Sequence, residues 1–284
     1  MRIARIAHAD GVDYAVLHDT EAELIADPFT PQGPAATAAG PRPRSRSLQP
    51  LGRRLPLTDV RLLAPVLPRT VVGMAHNTGP DDRRLPPQAF LKPARSVIGP
   101  GEPIPLPPGI GRVDAEAELA VVLAAPLAGH TEHTVHQAVF GYTVANDVTA
   151  RDLQRSDPLW TSAKGWPGFT PLGPWIETDL SPDPDDTPVR LTLDGTPLRA
   201  ASTANLARTV TEVLCHLASY LPLGPGDVVL TGAPGEFGPL RPGGHVEAAI
   251  PAIGVLANPV TGNSGGSGSD PHSPDAQPGE NPCP

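Results

Sequence analysis

The chain has 284 residues, long enough for one large domain or two unequal ones. A net charge of −9 leaves no basic footprint for nucleic acid or an anionic membrane surface, and the apolar runs fall short of the ~20 residues that span a bilayer. There is no signal pattern at the N-terminus and no disulfide framework from Cys215 and Cys283, so a cytoplasmic protein is expected.

The chain opens with Arg2-Ile3-Ala4-Arg5-Ile6-Ala7, turns at Asp10-Gly11 and continues Tyr14-Ala15-Val16-Leu17. This predicts a hairpin that begins a small N-terminal module over residues 1–65. Residues 31–54, rich in Pro, Ala, Gly and Arg, read as a loop. From 66 to 260, β-type runs alternate with Gly/Pro turns, at 70–74, 119–124, 142–148, 189–193, 227–231 and 245–250. A helix is predicted over 205–221, where Leu206, Val210, Val213, Leu214, Leu217 and Leu221 fall at helical spacing before Pro222. Cys215 and His216 are adjacent on it and point about 100° apart, wrong for a nucleophile pair. A second helix is predicted from Thr131 through Val139. His130, His133 and His136 sit in its polar first turn without a completing cysteine or carboxylate, and read as solvated surface histidines. Residues 261–284 have almost nothing to bury and read as a disordered tail.

Two clusters carry chemistry. In Arg112-Val113-Asp114-Ala115-Glu116-Ala117-Glu118-Leu119, strand alternation puts Asp114, Glu116 and Glu118 on one face and small alanines on the other. Like charges crowded beside a buried strand raise each other's pKa, so either a divalent cation satisfies them or they are a solvated acidic strand start. In the second cluster, an apolar strand ends at Asn146-Asp147 and a helical turn follows. That turn brings Arg151 and Gln154 to one side. Alone, it reads equally as a helix cap with surface charges.

Taken in order, these clusters resemble the fumarylacetoacetate hydrolase superfamily. Four further segments agree: Phe90-Leu91-Lys92-Pro93; Lys164 leading to Pro171-Leu172-Gly173-Pro174-Trp175; Leu223-Gly224-Pro225-Gly226-Asp227-Val228-Val229-Leu230-Thr231-Gly232; and Asn258-Pro259-Val260. The resemblance covers residues 70 to 260. It implies an α+β, β-rich fold, a mixed β-roll or sandwich catalytic domain over 66–260 with a small variable N-terminal module, in a homodimer. It also implies that Glu116, Glu118 and Asp147 bind Mg²⁺ or Mn²⁺, for which Ca²⁺ can stand in within crystals. Lys164 is then the catalytic cation beside the metal, and Arg151, Gln154 and Thr231 contact a small carboxylic acid substrate. The implied activity is cleavage of a C–C bond in an acylpyruvate-like 2-oxo acid or 1,3-diketone by water. Decarboxylation or enol–keto isomerisation of a 2-oxo acid, or a non-catalytic role, are the alternatives.

Two departures bear on the reaction. Hydrolytic members carry G-x-N-Y-x-x-H, whereas this chain reads Gly73-Met74-Ala75-His76-Asn77-Thr78-Gly79, with Gly79 in place of the histidine that activates water. His76 is either a catalytic base in a shifted position or a structural loop residue. Ala233 stands where a substrate-contacting threonine is usual.

Overall fold

A computed structural model describes residues 1–30, 48–181 and 183–262. The organising element is the strand Ala117–Leu123, buried along its whole length. Its Leu119, Val121 and Leu123 enter one hydrophobic cluster, while Ala120 and Val122 enter another on the opposite face. A strand with two apolar faces has to lie between two layers, which puts it at the centre of the molecule.

On one side this strand pairs antiparallel with Val139–Asn146, followed outward by Thr170–Glu177 and Arg2–His8. On the other it pairs with Val228–Leu230, followed by Val71–Ala75 and Gln88–Lys92. The predicted hairpin is present as Arg2–His8 and Gly11–Leu17, and Glu21–Ile25 and Pro50–Pro56 extend the same twelve-stranded sheet to its edge. A six-stranded sheet built on Pro188–Leu193, His245–Ile250 and Gly254–Thr261 covers one face. Val189, Leu191, Val246 and Leu256 from it meet Leu119, Val121 and Val144, and the helix Val210–Ala218 adds Val213, Leu214 and Leu217. The expected β-rich mixed fold is the one found.

Several local expectations need correction. The helix expected over 205–221 covers Val210–Ala218, because Thr209 and Glu212 form a reciprocal capping box that starts it. Asn205 belongs to a separate 3-10 turn, Thr203–Asn205. The helix expected from Thr131 is a single 3-10 turn, Val135–Ala138. Of the loop expected over 31–54, residues 31–47 lie outside the described residues, and its end enters the edge strand Pro50–Pro56, almost wholly exposed and tied by Arg54 to Glu23 at 3.0 Å. Its polar, proline-bounded sequence is what an edge strand tolerates and what a loop looks like. Thr170–Glu177 lay hidden for a related reason, since Pro171 and Pro174 interrupt its pattern. Of the tail expected at 261–284, residues from 263 onward lie outside the described residues, and Thr261 closes the last strand.

Candidate metal centre and active site

Glu116 occupies the one-residue gap between the strands Val113–Ala115 and Ala117–Leu123. Alternation survives the gap: Val113, Ala115, Ala117 and Leu119 all enter the core, which turns Asp114, Glu116 and Glu118 the other way. Across the ladder Ala117 pairs with Asn146, so the next residue, Asp147, arrives beside Glu116. Two hydrogen bonds lock that register: Asp147 N–H donates to Glu116 O at 2.8 Å, and Glu116 N–H to Asn146 Oδ1 at 3.0 Å. Carboxylate oxygens of Glu116, Glu118 and Asp147 come within 4.8 Å of one another, each residue less than 8% exposed. Asp114 stands apart, accepting from Arg112 Nε and Arg151 Nε at 2.8 Å each.

Three cations converge on this group. Lys164, on the short helix Thr161–Lys164, donates to Asp147 Oδ2 and, at 3.2 Å, to Glu116 Oε2. Its Nζ also lies 4.6 Å from the centre of the Phe90 ring. Burial opposes its charge, but Asp147 and Glu116 outweigh burial and hold its pKa above the ordinary lysine value. Its stabilisation of the fold is therefore present at neutral pH and is lost only as pH rises through that value, so Lys164 acts as a fixed ammonium. Arg151 NH2 reaches Glu116 Oε1 at 2.6 Å, NH1 reaches Gln154 Oε1 at 3.0 Å, and the guanidinium stacks 4.1 Å over Phe237.

The third cation, Lys92, was not assigned a role from sequence. It donates to Asp147 Oδ1 and to Val148 O, and is fully buried. Burial and the neighbouring Lys164 charge lower its pKa against the pull of Asp147. The signal was available: Phe90 and Lys92 lie two apart on Gln88–Lys92, and both point inward. Gly73, register partner of Phe90, has no room for a side chain, because a Cβ there would sit 2.3 Å from the ring.

Glu118 is the carboxylate left over. It accepts from Gly232 N–H at 2.7 Å, and among the described residues no cation lies within ion-pair distance. Burial pushes its pKa well up, and the charges of Asp147 and Glu116 push it further, offset in part by Lys164 and the amide. Asp147 moves the other way, since Lys164 and Lys92 overcome its burial. A buried, oxygen-only set with one uncompensated carboxylate fits a hard divalent cation.

A cleft of about 170 Å³ opens over these groups, lined also by His76, Arg151, Gln154, Trp160 and Phe237. His76 has φ 54°, a left-handed conformation uncommon outside glycine, and its carbonyl accepts from Arg208 NH1 at 2.9 Å. Gly79 is extended at the start of the turn Pro80–Arg84. Thr231, expected to touch substrate, instead donates its hydroxyl to Leu119 O at 2.9 Å and does not line the cleft. His133 and His136 are exposed on the far turn and contribute nothing to the acidic group.

Residues 69–261 match the family described as fumarylacetoacetate (FAA) hydrolase C-terminal, and residues 1–65 match the Rv2993c-like N-terminal family. The chain belongs to the fumarylacetoacetate hydrolase family. It is 38% identical over 275 residues to Protein Rv2993c of Mycobacterium tuberculosis, covering 92% of this chain and 98% of that one. Among solved structures it is similar to a 5-carboxymethyl-2-hydroxymuconate delta-isomerase from Mycobacterium smegmatis, at 37% identity and TM-score 0.82, covering 93% of this chain and all of that one. It is also similar to maleylpyruvate hydrolase from Sphingobium sp. SYK-6 in complex with manganese(II) and pyruvate, at 27% identity and TM-score 0.73, covering 92% and 99% of the two chains. Family members thus include isomerases and hydrolases, and a buried acidic triad together with a manganese-bound relative points to a divalent metal site.

Proposed function

We propose that this protein uses Mg²⁺ or Mn²⁺ to interconvert the keto and enol forms of a 2-oxo acid. The observation that carries the reading is the charge balance of the cleft. Glu116, Glu118 and Asp147, with Asp82 on the cleft wall, face Lys92, Lys164 and Arg151, four carboxylates against three cations. A divalent cation therefore leaves a positive surplus, suited to an acid substrate that gains further negative charge as it enolises. When bound by the three carboxylates, the cation supplies Lewis-acid stabilisation of that charge.

The protein's own groups do the rest. Arg151 and Gln154 orient the substrate's carboxylate, and Lys164 donates to the oxygen on which negative charge develops. In the reaction C3 loses a proton, the electron pair of that bond forms the C2–C3 double bond, and O2 gains a proton. Substrate and product are isomers, so no attacking water is needed. His76, on the cleft wall, relays the proton. The similarity to an isomerase supports this reading, as does the glycine at position 79.

His76 also favours a second reading, hydrolysis of a C–C bond in a 1,3-diketo acid, because an imidazole near the cleft is suited to deprotonating water. Loss of CO₂ from a 2-oxo acid that carries a second carboxylate on C3 would leave that bond's electron pair in a C2–C3 enolate stabilised by the same groups. The metal-loaded protein should be offered 2-oxo and 1,3-diketo acids, and isomers, CO₂ and hydrolysis products measured separately. Isomers alone support the first reading. Acid fragments that disappear in His76→Ala, while enolisation persists, would establish the second.

A further inference from the structure

The segment from His76 to Leu85 supplies one wall of the metal cleft through His76, Thr78 and Asp82. Two arginines clasp it to the start of the helix Val210–Ala218 from opposite directions. Arg83 reaches out of the segment and donates to Ala207 O at 2.9 Å and to Glu212 Oε2 at 2.8 Å. Arg208 reaches into it, and its guanidinium donates to His76 O at 2.9 Å and to Leu85 O, the two ends of the segment. Arg83 is exposed, whereas Arg208 is only 8% exposed and does not line the cleft. Among the described residues no carboxylate pairs with Arg208, so its side chain serves main-chain carbonyls alone. Burying a guanidinium without a counter-ion is unfavourable, and here its planar donor fork fixes two carbonyls at once.

The bond to His76 O bears on the site. His76 has φ 54°, so the setting of its peptide decides where the imidazole points, and the ring stands edge-on to Trp160 with centroids 6.1 Å apart. The main chain of residue 208 does separate work. Arg208 N–H donates to Asn77 Oδ1 at 2.7 Å, and Asn77 Nδ2 donates to Thr231 O at 2.7 Å. The next residue, Gly232, holds Glu118 through its N–H. That path supports a metal ligand and needs no side chain at 208, whereas the guanidinium supports only the His76 segment. We propose that Arg208 is a positioning residue, whose guanidinium holds His76, from outside the cleft, in the orientation that relays the proton. This rests on the reading of His76 as the relay and adds the residue that places it.

The test uses the whole chain loaded with Mg²⁺ and labelled with ¹³C-histidine, and pyruvate as a simple 2-oxo acid with protons on C3. Arg208→Met should slow deuterium entry into the pyruvate methyl group about 10- to 100-fold, the effect of a misplaced group, and leave Mg²⁺ affinity unchanged. Combined with His76→Ala it should slow exchange no further than His76→Ala alone, because the two substitutions remove one function. Arg208→Lys, with a single ammonium in place of the fork, should recover part of the rate. The His76 ring signal, identified by its loss in His76→Ala, should move in Arg208→Met while those of His133 and His136 stay. Additive effects in the double variant, a loss of Mg²⁺ affinity matching the loss of rate, or an unmoved His76 signal would overturn the inference. If pyruvate is not exchanged, or His76→Ala exchanges it at the wild-type rate, the relay reading fails, and the His76 signal alone decides whether Arg208 positions that residue. Should Arg208→Met not fold, Arg208→Lys carries the same test, and an unmoved His76 signal there overturns the assignment.

Discussion

Replacing Lys164 by methionine removes a buried ammonium that touches two of the three carboxylates while keeping a side chain of similar length. Two consequences follow. In catalysis, loss of one preorganised donor aimed at developing charge costs on the order of 10²–10³ in turnover, or about 3–4 kcal/mol. In stability, Asp147 keeps Lys92 and Glu116 keeps Arg151, so the metal-free protein loses one partner of each carboxylate but not both. Breaking a buried pair of this kind costs about 3–5 kcal/mol when nothing compensates, and the remaining cations make the lower end the expected value. A divalent cation would supply the missing charge. Lys164→Met should therefore melt well below wild type without metal, recover most of the difference with Mn²⁺, and still turn over at least a hundredfold more slowly when loaded. Differential scanning calorimetry with and without metal, paired with steady-state kinetics, reads both effects. Near-normal turnover by the loaded variant would remove Lys164 from the reaction, and an equal melting deficit with and without metal would show that the cation does not bind at these carboxylates.

Glu118→Ala should lose or greatly weaken metal binding in a calorimetric titration, whereas His133→Ala and His136→Ala should bind as wild type does; unchanged affinity in Glu118→Ala would break the ligand set. The Arg83–Glu212 pair ties the turn Pro80–Arg84, just beyond His76, to the helix Val210–Ala218. Arg83 holds the Glu212 carboxyl down to about 2 against an ordinary 4.5, so its stabilisation is present above pH 4.5 and fades as pH falls toward 2. Because both side chains are more than a third exposed, screening reduces the effect to about 1 kcal/mol. Urea denaturation should show Glu212→Gln less stable by that amount at pH 7 and equal to wild type near pH 2; a difference that persists at low pH would mean the effect is not electrostatic.

The sequence was legible where one principle dominated. Strand alternation around Glu116 and Glu118 survived folding even though the strand breaks at Glu116, because the alanines and valines on the other face had only the core to enter. Resemblance supplied Asp147 and Lys164, which the fold does bring to the same cleft. What stayed hidden depended on contacts between distant segments. Lys92 is a site residue because the strand Gln88–Lys92 carries it across to Asp147, 55 residues away; its spacing from Phe90 marks an inward-facing lysine but not the carboxylate it meets. Thr231 depends on a distant segment in the same way: it sits next to Gly232 in the site, and its hydroxyl donates to Leu119 O across the ladder. The strand Thr170–Glu177 was missed because proline ordinarily ends a strand, and sheet partners on both sides override that tendency only in three dimensions.

The central claim is that the acidic triad and Lys164 together enolise a 2-oxo acid. The most direct measurement is proton NMR of a 2-oxo acid in D₂O with the purified protein, with Mn²⁺ or Mg²⁺ added at a substoichiometric level or removed by a chelator. The account predicts stereoselective replacement of one C3 proton by deuterium in wild type with metal, abolished by the chelator and in Glu118→Ala, and at least a hundredfold slower in Lys164→Met. Exchange that proceeds equally without metal, or a loaded wild type that leaves C3 protonated across the whole panel of 2-oxo acids, would contradict it.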